Sequence, residues 1–319
     1  MAASGHVNNK TAQVIIASEE ERLKGQYGPR NLENALAALH QDGLVVLRGV
    51  IDVAFIDKLN EKMCADAEEK IADPSQLYNH GIKSNFLQRP PVTDPEFLNR
   101  QLYFNNFLLQ VNRAYLGGRP IWNWLTANTA MAGTKGLRQR AHKDSYTHPL
   151  YPYYVIANVP LVDFSPENGS TEFWLGSHQS TTPADQITSA DPVAEGYNRG
   201  RPGEPLPPIT EEAKAARMKI RPPLQPRCLR GDIMIRDLRL WHAGMPNESE
   251  AHRIMLGLGY QSPYFPNYSQ TLHLPETQRS FFLNYLSDIV DVRAQFWKPD
   301  EMEKTKADED FELRAEYAE

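Results

Sequence analysis

From about residue 120 onward, the chain consists of short β-like runs separated by turn-forming residues. Stretches rich in apolar, β-branched and aromatic residues alternate with clusters of Gly, Pro, Asn and Asp. Runs bounded in this way are typical of strands in a buried or half-buried sheet. They occupy residues 122–125, 153–161, 171–175, 233–235 and 254–260. We therefore predict a mainly β core with flanking α-helices.

Before this core, the sequence predicts helices that pack against it. Residues 1–25 are polar and predict a loosely held arm, with residues 14–16 as its apolar anchor. A helix capped by Asn31 ends at Gly43, and residues 44–47 predict a short buried strand. A second helix follows, and its apolar side chains share one face at Phe55, Leu59 and Met63.

The remaining segments complete a single domain predicted over residues 1–319, with its core at residues 30–260. Residues 179–220 are rich in Pro and Gly and too long for a hairpin turn, which predicts either a lid inserted over the site or a disordered excursion, and we favour the lid. Apolar residues at helical spacing predict a packed C-terminal helix over residues 277–298. Residues 300–319 predict a frayed acidic tail.

Charge and cysteine content narrow the class of function. The net charge is −6 and no segment concentrates Lys and Arg, which argues against nucleic acid and anionic membranes as partners and favours a small-molecule substrate. Cys64 and Cys228 are the only cysteines, so neither a disulfide framework nor a structural zinc site is predicted. No signal-peptide pattern and no apolar run of about 18 residues is present. We expect a cytoplasmic protein, and the sequence leaves a homodimer open.

Three residues have the types and spacing of a metal site. His142 and Asp144 are two residues apart, so on an extended strand both side chains point to the same face. Roughly a hundred residues later, the β-like run that begins at residue 231 ends in His242. Two imidazoles and one carboxylate leave coordination positions open, as in non-haem Fe(II) oxygenases. We predict that His142, Asp144 and His242 are metal ligands and form the catalytic centre.

Arg253 is the fourth residue of the predicted site. It lies 11 residues beyond His242, at the start of another β-like run. If those two runs are antiparallel neighbours, Arg253 returns to a deeper position in the same barrel. A planar guanidinium there can bind a carboxylate with two hydrogen bonds, as the distal carboxylate of 2-oxoglutarate requires.

These residues belong to a longer set of motifs that resembles the phytanoyl-CoA dioxygenase family, especially its fungal natural-product branch. The resemblance extends roughly from residue 35 to residue 260 and includes the His-x-Asp motif, Gly176-Ser-His and the Gly231-Asp segment through to Arg253. It implies a double-stranded β-helix, the cupin-like jelly roll, and a dioxygenase that uses Fe(II), 2-oxoglutarate and O2. It also implies that Gln139 and Thr171 help to hold 2-oxoglutarate beside the iron.

Other polar and aromatic residues near these motifs have structural interpretations. We expect His178 to fix a turn and Trp241 to pack in the core. Asp237 is expected to bond to backbone groups or nearby arginines. His148 is a candidate for the substrate entrance or for a surface loop. Another candidate is a predicted polar loop before two prolines, which contains Asn85, Gln88 and Arg89.

Three functions fit the predicted ligands. A 2-oxoglutarate oxygenase would oxidise a C–H bond of a small molecule, a secondary-metabolite intermediate, and release succinate and CO2. The sequence does not distinguish hydroxylation, desaturation, epoxidation and ring formation as its outcome. A zinc hydrolase could use the same ligands with metal-bound water, but it leaves Arg253 unexplained. A binding protein that kept the jelly roll and lost its chemistry is the third alternative.

Overall fold

An eight-stranded sheet is the centre of the protein, here in a computed structural model that describes residues 11–78, 83–144, 151–186, 207–284 and 288–302. Its strands are β1 (Gln13–Ile16), β2 (Leu44–Arg48), β3 (Asn85–Gln88), β4 (Ile121–Ala130), β5 (Tyr154–Pro160), β7 (Ile233–Asp237), β9 (Arg253–Gln261) and β11 (Asp291–Val292). They are ordered β1-β2-β7-β5-β9-β4-β11, with β3 also paired to β4. Two separate pairs join β6 (Glu172–Phe173) to β8 (His242–Ala243), and β10 (Leu272–Pro275) to β12 (Ala294–Trp297).

The helices lie before, between and after these strands in the chain. Longer helices cluster before β4, where the sequence predicts them. They are α1 (Glu19–Lys24), α2 (Pro29–Asp42), α3 (Val53–Ala72), α4 (Arg100–Tyr103), α5 (Asn106–Leu116), α6 (Glu211–Ile220), α7 (Arg279–Leu283) and α8 (Pro299–Met302). Among the described helices, none combines the length and the apolarity that crossing a bilayer requires.

The two faces of the large sheet pack against different parts of the protein. On one face, side chains such as Ile235 and Leu256 join the main apolar core, together with residues of α2, α3 and α5. Because side chains alternate along a strand, Arg236 on β7, Asn158 on β5 and Arg253 on β9 point to the opposite face. We call this opposite face the inner face. It is also the face on which a smaller apolar cluster joins β2 and β7 to Phe173 of β6.

The predicted strands and the first predicted helices are confirmed. Every β-like run identified from the sequence contains a strand, and β4 and β9 are longer than predicted. The first long helix begins at Pro29 after Gly28, so the prediction that Asn31 caps it is wrong. Its predicted end is confirmed, because Gly43 adopts a φ of 74° and donates its N–H to the Leu39 carbonyl at 2.9 Å.

The predicted C-terminal helix over residues 277–298 is wrong. Among the described residues of this range, a 3-10 turn ends at Gln278 and only the five residues of α7 are α-helical, although Phe282 of α7 is buried as the helical spacing predicts. The chain then forms β11, which pairs parallel with β4, and β12, which pairs parallel with β10. Pairing with strands that are distant in the sequence therefore decides the conformation, and local apolar spacing does not report it.

Two other segments are more ordered than predicted. Residues 13–16 of the predicted loose arm form β1, which pairs parallel with β2 and buries Ile15. The predicted polar loop with Asn85 and Gln88 is β3, and both side chains are buried. In each case an edge of the sheet supplies hydrogen bonds that a polar sequence does not reveal.

Some predictions fall outside the described residues. These are residues 1–10 of the arm, His148, residues 187–206 of the predicted lid and residues 303–319 of the acidic tail. The described flanks of the lid region contain a 3-10 turn at Pro183–Asp185 and α6.

Substitution of Gly43 should destabilise the fold through its contact with His178. A Cβ on Gly43 would lie 2.6 Å from His178 Nδ1, and the φ of 74° is strained for an L side chain. We expect Gly43→Ala to lower the free energy of unfolding by about 2–4 kcal/mol, measured by urea denaturation.

Two variants separate the backbone strain at Gly43 from the steric clash with His178. Gly136 has the same φ of 74°, and a Cβ added there would meet nothing within 4 Å, so Gly136→Ala should cost only about 1–2 kcal/mol. Adding His178→Ala to Gly43→Ala should remove the clash, so the double variant should be less destabilised than the sum of its single changes. Equal effects of Gly43→Ala and Gly136→Ala would contradict the role of the contact.

Candidate metal centre

An isolated antiparallel bridge brings His142 and His242 side by side. Each residue donates its backbone N–H to the carbonyl of the other, at 2.9 and 2.8 Å. The two imidazole rings consequently lie with their centroids 4.5 Å apart. Both side chains are buried. The backbone pairing therefore places two potential ligands together that are a hundred positions apart in the chain.

Asp144 completes a group of three ligand atoms. One of its oxygens lies 3.6 Å from His142 Nε2, and the other lies 3.5 Å from His242 Nε2. One ligand atom from each of the three residues lies within 4.8 Å of the other two. This is the group that the sequence predicts, and a single divalent cation could contact all three side chains.

Hydrogen bonds aim both imidazoles at that position. His142 Nδ1 lies 2.8 Å from the Arg140 carbonyl, and His242 Nδ1 lies 3.1 Å from the Leu240 carbonyl. A carbonyl accepts a hydrogen bond, so each Nδ1 is protonated and each Nε2 presents its lone pair. Metal-binding histidines are commonly oriented in this way.

The charges of the three groups suit a cation. Burial lowers the pKa of His242 to about 3, so its imidazole is neutral at physiological pH. Burial alone would raise the pKa of Asp144, but its interactions with His242 and with the Arg236 guanidinium lower the pKa below its usual value. The Asp144 side chain, which is 15% exposed, is therefore an ionised carboxylate beside a neutral ligand.

Arg253 is a buried cation with unused hydrogen-bond donors. Its Nη2 donates to the Gly169 carbonyl at 2.9 Å, and its guanidinium lies over the Phe164 ring. The Nε and Nη1 atoms have no hydrogen-bond partner among the described residues. Burial lowers the Arg253 pKa to about 10, which still leaves it charged at neutral pH. A buried guanidinium with free donors is a site for an anion.

The expected route by which Arg253 reaches the site is wrong. The expected position depended on the strands of His242 and Arg253 being antiparallel neighbours, whereas β8 pairs with β6 and β9 pairs with β4 and β5. The link runs instead through Gly169, whose Cα is packed against the backbone carbonyls of Met245 and Pro246, just after β8. Arg253 therefore approaches the segment of His242 from the large sheet.

Gln139 and Thr171 lie on or beside segments that pair with the chain at and just after His242. Gln139 accepts the Gly244 N–H through its side-chain oxygen at 2.8 Å, and its own backbone N–H donates to the Gly244 carbonyl at 2.8 Å. These two hydrogen bonds join Gln139 to Gly244, two residues after His242. Thr171 is buried immediately before β6 and is two residues from Gly169, the hydrogen-bond acceptor of Arg253.

The structural interpretations of the neighbouring residues are confirmed for three of them. His178 packs against Gly43 and does not belong to the group of three ligands found in the described part of the chain. Asp237 accepts hydrogen bonds from the Arg239 side chain and from the Tyr115 hydroxyl. Trp241 packs in a buried apolar cluster with Trp174.

Two residues of the site, Arg236 and Asn158, were missed from the sequence. Arg236 donates to Asp144 Oδ2 through Nη2, and to Asn158 Oδ1 through Nε at 3.2 Å. The available signal is that Arg236 interrupts an apolar run, Ile233 to Ile235, in a segment predicted to be a buried strand. A buried arginine requires a partner, but the sequence does not identify which carboxylate supplies it.

The chain matches a known protein family. The model of the phytanoyl-CoA dioxygenase (PhyH) family matches residues 39–255. Among curated proteins, the dioxygenase aneA of Aspergillus aculeatus is 24% identical over 260 residues, which cover 75% of this chain and 76% of aneA. The matched family segment includes the three ligand residues and Arg253.

Solved structures have a similar fold at low sequence identity. The non-haem α-ketoglutarate-dependent epimerase SnoN from nogalamycin biosynthesis is 18% identical, with a TM-score of 0.52 over 74% of this chain and 82% of SnoN. EctD from S. alaskensis, solved with 2-oxoglutarate and 5-hydroxyectoine, is 18% identical, with a TM-score of 0.52 over 85% of this chain and 88% of EctD. The predicted cupin-like fold, mainly β with flanking helices, is confirmed.

Loss of any one of the three ligands should weaken metal binding. We expect His142→Ala, Asp144→Ala and His242→Ala each to raise the Co(II) dissociation constant of the metal-free protein by more than the roughly 10–100-fold caused by losing an outer-sphere partner. Isothermal titration measures the constant directly. His178→Ala is the matched control, because it removes a buried histidine outside the group. It should lower the melting temperature and leave Co(II) affinity unchanged, and loss of Co(II) binding by folded His178→Ala would contradict this assignment.

Proposed function

Because the chain belongs to the phytanoyl-CoA dioxygenase family, we propose that His142, Asp144 and His242 hold the Fe(II) of a 2-oxoglutarate-dependent oxygenase that oxidises a small organic molecule. The enzyme's cofactors are Fe(II), 2-oxoglutarate and O2. The observation that supports the ligand assignment best is the convergence of three ligand atoms within 4.8 Å, with both Nδ1 atoms already bonded to carbonyls.

The three side chains suit Fe(II) by their chemistry. Imidazole nitrogen and carboxylate oxygen are both ligands that Fe(II) accepts, and three protein ligands leave further positions for a co-substrate and O2. The ionised Asp144 and the neutral His242 need no proton rearrangement before a cation binds. Burial of both histidines limits the access of water to this part of the site.

We assign the distal carboxylate of 2-oxoglutarate to Arg253. The Nε and Nη1 atoms of Arg253 are buried donors without partners in the part of the chain that the structure describes, and a carboxylate can accept from two such donors at once. Thr171 and Gln139 remain the predicted additional contacts. Thr171 lies next to the Gly169 region that anchors Arg253, whereas the Gln139 side-chain oxygen is already bonded to Gly244. Only the Gln139 amide N–H groups therefore remain for the co-substrate.

Bound iron, 2-oxoglutarate and O2 together supply an oxidant that removes hydrogen from a C–H bond, with succinate and CO2 as products. The protein's task is to hold the ligands, orient the co-substrate through Arg253 and keep water out of the site. We propose hydroxylation, desaturation or oxidative ring formation of a secondary-metabolite intermediate as the outcome. The role of SnoN in nogalamycin biosynthesis supports this class of substrate.

The addition of 2-oxoglutarate to the anaerobic Fe(II) protein tests the proposal. A visible charge-transfer band is expected only if the keto acid chelates the bound iron. A zinc-type hydrolase would bind metal and show no band with the Fe(II) form. A protein that binds no metal would contradict both enzymatic functions.

Arg253→Lys should weaken 2-oxoglutarate binding and spare metal binding. Lysine keeps the positive charge but loses the planar pair of donors. A charge-assisted hydrogen bond contributes about 1.5–3 kcal/mol, so the dissociation constant for 2-oxoglutarate should rise roughly 10- to 100-fold in the anaerobic titration. Arg253→Ala should have a larger effect.

The control for this prediction is Arg221→Lys, which changes another buried arginine, one that is paired with Asp42. It should lose stability and keep its affinity for 2-oxoglutarate. Unchanged 2-oxoglutarate affinity in both Arg253 variants would show that the co-substrate carboxylate binds elsewhere.

A further inference from the structure

The Asp144 carboxylate has one hydrogen-bond donor in the described part of the chain, and that donor is Arg236. Asp144 lies outside every described strand, so no ladder of backbone hydrogen bonds holds it. A carboxylate on a single side chain can rotate and present either one or both oxygens to a cation. Its orientation toward His142 and His242 therefore depends on the contact with Arg236.

Arg236 is itself rigidly placed. It lies on β7, which pairs with β2 on one side and with β5 on the other. Its guanidinium donates through Nε to Asn158 on β5 at 3.2 Å, and its side chain is 7% exposed. Arg236 and Asn158 are diagonal cross-strand neighbours, because Arg236 is opposite Ile156 and Asn158 is opposite Met234. The guanidinium is thus fixed by the central strands of the large sheet.

We propose that Arg236, held by Asn158, is a positioning residue that fixes the Asp144 carboxylate for one-oxygen binding to the metal. This inference rests on the proposed function, because it assumes that Asp144 is a ligand. Arg236 Nη2 bonds to Oδ2, whereas Oδ1 accepts no hydrogen bond from the described residues. A carboxylate restricted to one oxygen leaves a coordination position open that two-oxygen binding would fill, and the co-substrate and O2 require open positions.

The positive charge of Arg236 lowers metal affinity, whereas its orientation of Asp144 raises metal affinity. A guanidinium near a divalent cation repels it, so removal of Arg236 would strengthen metal binding if charge alone mattered. Loss of the orientation of Asp144 would weaken metal binding. The sign of the change in metal affinity therefore distinguishes a positioning role from a purely electrostatic one.

A purely structural role is also testable, because the same segment contains a matched pair. Arg239 is buried and donates to the buried Asp237 through Nε and Nη2, and neither residue is one of the three ligands. The pair resembles Arg236 and Asp144 in chemistry and in burial. Arg239→Lys should therefore reproduce any general cost of disturbing a buried arginine in this region.

The experiment measures the Co(II) dissociation constant of metal-free protein by isothermal titration, in Arg236→Gln, Arg236→Lys, Asn158→Ala and the control Arg239→Lys. Outer-sphere partners of metal ligands typically change affinity by about 10–100-fold, and we expect weaker binding of this size in both Arg236 variants. Asn158→Ala keeps Arg236 but frees its guanidinium, so its effect should be smaller and in the same direction. Because the two residues act in series, adding Asn158→Ala to Arg236→Gln should cause little further loss.

A spectroscopic measurement complements the affinities. The intensity of the visible ligand-field absorption of bound Co(II) falls as its coordination number rises. We expect the Arg236→Gln spectrum at saturating Co(II) to be weaker than that of the wild type, because the released carboxylate can bind through both oxygens. The Arg239→Lys spectrum should match the wild type even if its melting temperature is lower.

Several results would overturn the proposal. The first is that Arg236→Gln binds Co(II) as tightly as the wild type or more tightly, while Arg236→Lys binds it like the wild type. That result would show that Arg236 affects the metal only through charge repulsion. Equal losses of affinity in Arg239→Lys would reduce Arg236 to a structural role. Wild-type protein that binds no Co(II) would refute the positioning role together with the metal site. Wild-type protein that binds Co(II) but gives no charge-transfer band with Fe(II) and 2-oxoglutarate would refute the proposed oxygenase alone, and the Arg236 comparison would still stand.

Discussion

The site depends on one backbone interaction, the pair of hydrogen bonds between His142 and His242. This bridge joins His142, which lies outside the named strands, to the first residue of β8, and it brings two imidazoles from distant parts of the chain into contact. The Nδ1 hydrogen bonds to Arg140 and Leu240 use carbonyls of the same two segments. Backbone pairing therefore sets both the distance between the rings and the direction in which their Nε2 atoms point.

The large sheet supplies two buried arginines, Arg236 beside Asp144 and Arg253 beside Gly169. Its helix-packed face is apolar, which leaves the inner face available for Arg236, Asn158 and Arg253. Buried charges are unfavourable unless they are paired. Arg236 is paired with Asp144, whereas no carboxylate in the described part of the chain forms a salt bridge with Arg253. This difference indicates which guanidinium belongs to the protein's own architecture and which one is available to a ligand.

Apolar runs bounded by turn residues predict the central strands well, because every residue of β5 and β7 is buried. The same reasoning fails at the edges of the sheet. The sequence of β1 is short and belongs to a polar segment, and the segment after α7 has helical apolar spacing, but both form strands by pairing with distant parts of the chain. The condition that the strands of His242 and Arg253 are neighbours is also not met, because β8 and β9 belong to different sheets.

The sequence by itself determined the residue types of the site, the β character of its core and the family to which the chain belongs. The spacing of His142 and Asp144, the later His242 and Arg253 are local features that remain recognisable without coordinates. Only the tertiary structure decided that Arg253 on the large sheet bonds to Gly169 and that Arg236 contacts Asp144. These contacts join residues that are separated by many tens of positions, and sequence patterns report which face of an element is buried but not which side chain meets it there.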